Sequence, residues 1–332
     1  MRNLISVILF ASFNFAQFDW ANNGLPIRQG YHIEWFRGGD VSSDGEMIIV
    51  WSDTRTSTRD VFGQKVDING NILWDEDGLL ISGGEGRQED PIIISDNSGG
   101  GYISWRSYHN DPVFGELYIQ YLTSDGELLW TEQMISGNIK VKANSQQNMC
   151  SDRQGGVYVT WYADQELNSG DGNYYGVHIN PDGIITEPFA LIETEENFGN
   201  VSLESAGNGD AVIAWKEGPQ GDEDIFAQRI HVNPNGIIEK LWNSGNHLEV
   251  CISQGQQSSP KVTYYSDDYV VVVWEDWRSA TSAIGGNFIN VDGNVVFSSN
   301  NNSDLVFTTD AASPLFPRVK ATSEGAFVVW LS

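Results

Sequence analysis

Six short apolar runs along the chain each end in tryptophan: Ile48-Ile49-Val50-Trp51, Tyr102-Ile103-Ser104-Trp105, Val157-Tyr158-Val159-Thr160-Trp161, Val212-Ile213-Ala214-Trp215, Val271-Val272-Val273-Trp274 and Phe327-Val328-Val329-Trp330. Successive tryptophans are 54, 56, 54, 59 and 56 residues apart, so the chain is an array of repeats. About 20 residues after each of the first five comes a turn dipeptide, ending at Gly70, Gly126, Gly183, Gly236 and Gly293. Asn-Gly and Asp-Gly between apolar runs mark a tight hairpin, here expected to be of type I′. An apolar pair and usually an aromatic follow, as in Ile72-Leu73-Trp74, Leu128-Leu129-Trp130, Leu241-Trp242 and Val295-Val296-Phe297, while the third copy carries Glu187 instead.

A second turn precedes each tryptophan run, and upstream of it lies another extended segment such as Pro91-Ile92-Ile93-Ile94 or Pro260-Lys261-Val262-Thr263-Tyr264. The pattern predicts four strands per repeat in chain order: a Pro-Ile strand, the strand ending in Trp, a strand carrying Gln (Val61 to Val66, Ile225 to Ile230), and one ending in Leu-Trp. No helical period of comparable length is present. Four antiparallel strands at a period near 55 predict an all-β protein, a β-propeller of about six four-stranded blades. Each repeat-defining tryptophan is expected to pack between neighbouring sheets.

The chain ends bear on closure. Phe18-Asp19-Trp20 matches the Leu-Trp strand, and Trp20 precedes Trp51 by 31 residues, as Trp74 precedes Trp105. The last blade is therefore expected either to be closed by this amino-terminal strand or to be truncated, since only Leu331 and Ser332 follow Trp330. Met1-Arg2-Asn3, the apolar run Leu4 to Phe15 and Ala16 have the order of a secretory signal peptide, which divides the chain into residues 1–16 as signal and 17–332 as one propeller domain.

Composition narrows the function. A formal charge of −27 opposes association with nucleic acid or anionic lipid, and no second long apolar run exists to enter a membrane. The expected state is a secreted or cell-surface monomer. Two cysteines, Cys150 and Cys251, are too few for a disulfide framework and are expected to be free.

The repeat Trp51-Ser52-Asp53-Thr54-Arg55, Asp60-Val61-Phe62-Gly63-Gln64-Lys65-Val66-Asp67, Asn69-Gly70-Asn71-Ile72-Leu73-Trp74 resembles the propeller repeats of large exported bacterial proteins, many of which carry a C-terminal domain for type IX secretion. Asp224-Ile225-Phe226-Ala227-Gln228-Arg229-Ile230 matches it best. The resemblance covers essentially the whole mature chain and implies the fold, with no activity attached.

Candidate chemistry is sparse. The Asp and Arg after the tryptophan, in Asp53-Thr54-Arg55 and Asp276-Trp277-Arg278, read as a loop brace, and Gln64, Gln120 and Gln228 as buried amides that satisfy backbone groups. The Asp-box of sialidases is absent, although Arg37, Arg87 and Arg318 lie near first strands and are candidates to face a central channel. His32, His109, His178, His231 and His247 have no zinc spacing; calcium is the one cofactor with candidate ligands, in Asp164 with Asp171 and in Asp222-Glu223-Asp224. No catalytic residue is assigned. The reading is a non-enzymatic interaction or adhesion module with a protein or carbohydrate partner; the alternative is a propeller glycosidase or polysaccharide lyase acting on extracellular glycans.

Overall fold

The computed structural model describes residues 27, 34–110, 113–139, 141, 146–163, 173–194, 196–279, 281–297, 305–308, 313–322 and 325–331. The signal segment, the Phe18–Trp20 strand and the Asp164 and Asp171 loop lie outside these residues.

The chain is an all-β propeller. Sheet one holds β1 (Glu34–Val41), β2 (Met47–Asp53), β3 (Asp60–Val66) and β4 (Leu79–Ser82). Sheet two holds β5 (Gln88–Ser95), β6 (Gly101–Ser107), β7 (Glu116–Leu122) and β8 (Gln133–Met134); sheet three β9 (Gln147–Ser151), β10 (Val157–Ala163), β11 (Asn173–Ile179) and β12 (Phe189–Ile192). Sheet four holds β13 (Phe198–Gly207), β14 (Asp210–Glu217), β15 (Asp224–Val232), β16 (Ile238–Lys240) and β17 (Leu248–Cys251). Sheet five holds β18 (Gln257–Ser266), β19 (Tyr269–Asp276), β20 (Ala283–Asn290) and β21 (Leu305–Thr308), and the sixth pairs β22 (Leu315–Thr322) with β23 (Gly325–Leu331). Within each sheet the strands run antiparallel, and the first strands lie side by side in the order β1, β5, β9, β13, β18, β22.

The tryptophans close the seams between sheets. Trp105, Trp161, Trp215 and Trp274 are fully buried, and each packs with apolar side chains of its own sheet and of the preceding one. Four of the indoles stack on the aromatic paired across from them on the third strand, with centroids 6.2–6.3 Å apart: Trp51 on Phe62, Trp105 on Tyr118, Trp161 on Tyr175 and Trp215 on Phe226. In sheet five Gly285 takes that place, and a Cβ there would lie 2.7 Å from Trp274 Nε1. Trp330 departs from the pattern at 37% exposure, because no third strand covers it among the described residues.

Two expectations are corrected. The Leu-Trp segment is not the fourth strand: it makes a single bridge to the end of strand three, Val66 to Ile72 in sheet one, and the fourth strand follows later, pairing with the start of strand three at Val61–Gly63. Only sheet four extends the early pairing into a strand, β16, before β17. The outer edge of strand three is thus shared by two segments, and a side-chain amide holds the first of them. Gln64 Oε1 accepts from Trp74 N at 3.1 Å and Gln64 Nε2 donates to Asp75 O at 2.7 Å; Gln120 serves Trp130 and Gln228 serves Trp242 in the same way. Asn287 takes this role for Phe297. The third copy has Val177 at the amide position and Glu187 at the aromatic one, so the two features are lost together.

The hairpin is also not type I′. Gly70, Gly126, Gly183, Gly236 and Gly293 have φ between 74° and 84–85°, but the Asn or Asp before each has negative φ. A type I turn followed by a left-handed glycine fits this, with the residue three before the glycine accepting its N–H, as Asp67 O does from Gly70 N at 2.9 Å. The turn glycine also lets one blade approach the next: a Cβ on Gly126, Gly183 or Gly293 would sit 3.1, 2.8 or 2.7 Å from the preceding blade's Trp74, Trp130 or Trp242. Gly236 follows the copy that lacks the tryptophan and has nothing within 4 Å. Gly236→Ala is expected to cost only the left-handed strain, about 1–2 kcal/mol. Gly183→Ala should cost about 1–3 kcal/mol more because the indole must also move; equal midpoints in urea unfolding would remove this seam contact from the account.

Candidate functional site

The first strands border a cavity of about 650 Å3, whose wall takes residues from β1, β5, β9, β13 and β22, from the hairpins after β5 and β9, and Tyr102 from β6. Alternation along a strand puts residues two apart on one face, so each first strand offers the cavity one position and, one pleat or about 7 Å along, the next. Aligned by their partners on the second strand, the six first strands place Gly38, Ile92, Asn148, Ser202, Lys261 and Arg318 at one level, each opposite the residue before the repeat tryptophan. Two residues on lie Asp40, Ile94, Cys150, Glu204, Thr263 and Lys320, all of which but Thr263 line the cavity; its cations and two of its carboxylates are thus Lys320, Asp40 and Glu204 of this level and Arg153 of the hairpin after β9.

These charged groups differ from one another in their bonding. Asp40 Oδ2 accepts from Ser95 N of the next sheet at 2.7 Å. Arg153 Nε donates to Ser205 Oγ at 3.0 Å, with its guanidinium 3.7 Å from the Tyr264 ring centroid. Burial raises the Glu204 carboxyl above its ordinary pKa, while Lys320 and Arg153 pull it back down. A carboxyl that holds its proton more tightly than usual, in a concave site beside cations, is the arrangement expected of a general acid. Asp96, also on the wall, behaves in the opposite way: burial is outweighed by hydrogen bonds from Tyr121, Ser98 and Gly100, and its carboxylate stays ionised. Tyr102 donates its hydroxyl to Gly155 O at 2.6 Å, and burial pushes its pKa up, so it braces the wall and is no base.

The other sequence candidates fall elsewhere. Arg55 and Arg278 pair with Asp53 and Asp276 within their own loops, and Arg55 Nη1 reaches Asp77 O at 2.7 Å, which makes both pairs braces. Arg87 pairs with Glu89 at 3.2 Å and lies on Tyr108; of Arg37 only the backbone is described. In Asp222-Glu223-Asp224, Glu223 pairs with Lys216 at 2.8 Å, while Asp222 and Asp224 accept from Gly255 N and Ser253 N. Among the described residues no group of three His, Cys, Asp or Glu is placed to hold a metal. Both cysteines are buried; burial pushes the Cys150 thiol well up.

Sequence reasoning missed Asp40, Arg153, Glu204 and Lys320. For Asp40, Glu204 and Lys320 the signal was a departure from the repeat, charged groups at first-strand positions where Ile94, Cys150 and Thr263 stand in other copies; Arg153 lies in the hairpin after β9.

No family model matches the chain, and no curated protein does. Its likeness is to solved β-propellers. A polysaccharide lyase of the ulvan lyase family PL25 matches at TM-score 0.50 and 11% identity over 78% of this chain and 69% of that one. The polysaccharide lyase Uly1 matches at 0.50 and 9% over 88% and 73%. An α-L-arabinanase from Penicillium chrysogenum, solved with arabinobiose, matches at 0.45 and 10% over 77% and 80%. At such identity these carry the fold alone. The expectation of a non-enzymatic interaction or adhesion module is corrected nonetheless: the two propellers matched at 0.50 are polysaccharide lyases, which favours the alternative reading. Among the described residues no helix is long and apolar enough to cross a membrane.

Proposed function

We propose that the protein is a propeller glycosidase or polysaccharide lyase that cleaves an extracellular glycan in the central cavity. The observation that carries this is Glu204: a carboxyl with a raised pKa on the wall of a 650 Å3 cavity that Asp40, Arg153 and Lys320 also line, near enough for their charges to act on it. Both reactions need a proton on the departing glycosidic oxygen, and a protonated Glu204 is the donor. In hydrolysis Asp40 is the second carboxylate, acting on the other side of the sugar. In elimination Asp40 takes the proton from the carbon that bears the uronate carboxylate, the cations stabilise the charge that develops there, and the glycosidic oxygen leaves with the proton from Glu204 as the double bond forms.

The two solved polysaccharide lyases of the same fold support the reaction class. Export, supported by the Met1–Ala16 pattern and the resemblance to repeats of exported proteins, would bring the enzyme to such glycans. The test is incubation of the purified protein with a panel of neutral and acidic polysaccharides. New reducing ends are expected from at least one, and an unsaturated product would mark elimination over hydrolysis. No release from any member of the panel would refute the reading.

A further inference from the structure

The first strands of sheets five and six share a device. In each, the register with the second strand skips two residues, and the first of the two is left-handed although it is not glycine: Ser259 at φ 53° before Pro260, and Phe316 at φ 56° before Pro317. The residue after each proline is a cation, Lys261 in one strand and Arg318 in the other. Sheets two and four have the same bulge, at Asp90 (φ 55°) and Asn200 (φ 50°), yet carry Ile92 and Ser202 where the cations stand. The bulge thus recurs in four of the six sheets, while sheet one skips a single residue and the described register of sheet three has no shift, and the bulge does not need the cations. A bulge redirects the side chains that follow it, and strained backbone is retained where the surroundings fix it.

Lys261 and Arg318 sit at one level on neighbouring strands, one pleat from Lys320. Among the described residues the Lys261 side chain makes no hydrogen bond or ion pair; burial lowers the pKa of its ammonium, the Arg318 charge lowers it further, and Glu275 acts against both. Glu275 is already engaged, accepting from Ser258 Oγ at 3.0 Å and from Phe316 N at 2.7 Å. Lys320 and Arg153 line the cavity, and Lys261 and Arg318 stand one pleat from the Lys320 level, in a protein whose net charge is −27. Lys261 is half-buried while Arg318 and Lys320 reach solvent, and like charges held this close repel one another, which a bound anion would offset.

We propose that Lys261 and Arg318 form a subsite for an anionic substituent of the glycan, a carboxylate or sulfate, so that the substrate is an acidic polysaccharide. The inference rests on the channel being the glycan site. A guanidinium grips a carboxylate or sulfate through two N–H groups and the ammonium adds a third contact, which a neutral hydroxyl would not reward.

The test is calorimetric binding, independent of turnover, with three probes: an oligouronate, the same oligomer with its carboxyls reduced to alcohols, and a neutral oligosaccharide bearing sulfate esters. The wild type is expected to bind one or both charged probes at least tenfold more tightly than the reduced one, with the preference falling as salt rises. A preference for the oligouronate or for the sulfated probe tells which anion is native. Lys261→Met and Arg318→Gln, each checked for a wild-type unfolding midpoint, should remove that preference, and Lys261→Arg should restore most of it. Equal binding of charged and reduced probes, or a preference that survives both variants, overturns the subsite. Cleavage of a neutral glycan with that result would leave the reaction class standing; tight, variant-sensitive binding of an acidic oligomer without cleavage of any glycan would overturn the reaction class and keep the subsite.

Discussion

Glu204→Gln is expected to lower the rate of glycan cleavage by a factor of about 10² to 10⁴, the range that a positioned general acid contributes, with KM little changed. The amide keeps the shape and polarity of the side chain but has no acidic proton to give the leaving oxygen. The same substitution should stabilise the fold near neutral pH. The folded-state pKa of Glu204 is raised, so its stability contribution is fully present below the unfolded-state pKa and is lost as pH rises through the folded one. Gln does not titrate. The variant should therefore gain on the wild type as pH rises from about 4 toward 7, and the gap should close in acid. Loss of activity joined to a gain in stability is the mark of a group kept for function. A variant equally active, or one whose stability difference ignores pH, would remove Glu204 from the acid role.

Trp161→Ala is the largest structural prediction, at about 3–5 kcal/mol. The indole is fully buried, stacks on Tyr175 at 6.3 Å and fills the seam with Leu117, Ile119 and Ile135 of the sheet before it. Alanine leaves a cavity that two rigid sheets cannot close. Trp330→Ala provides the internal control: the same residue of the repeat, exposed by 37%, should cost much less. Denaturant unfolding of the two variants side by side measures the difference, and similar losses would mean that seam packing is not what the tryptophans supply.

Sequence made the repeat legible because the fold demands the same residues in each copy. The tryptophans, the turn glycines and the strand-three amides each answer a local need that recurs every 55 residues or so. The fourth strand was misplaced because the Leu-Trp segment has the apolar character of a strand, while its backbone bonds go to Gln64, Gln120 or Gln228, a long-range fact that no local pattern carries. The turn type was misread because Asn-Gly serves both a type I′ turn and a type I turn with a left-handed glycine. The site was hidden for the opposite reason. Asp40, Glu204 and Lys320 lie in three different copies, and only the ring brings them to one cavity. A residue that acts once looks like noise in a repeat until the copies are laid in register.

The cavity as the place where glycan is bound and cut is tested most directly by a crystal structure of Glu204→Gln soaked with an oligosaccharide from a polysaccharide that the wild type cleaves. The account predicts sugar in the cavity among Asp40, Arg153 and Lys320, with the scissile oxygen within hydrogen-bond reach of residue 204. Sugar bound elsewhere on the propeller, with the cavity holding only water, would contradict it.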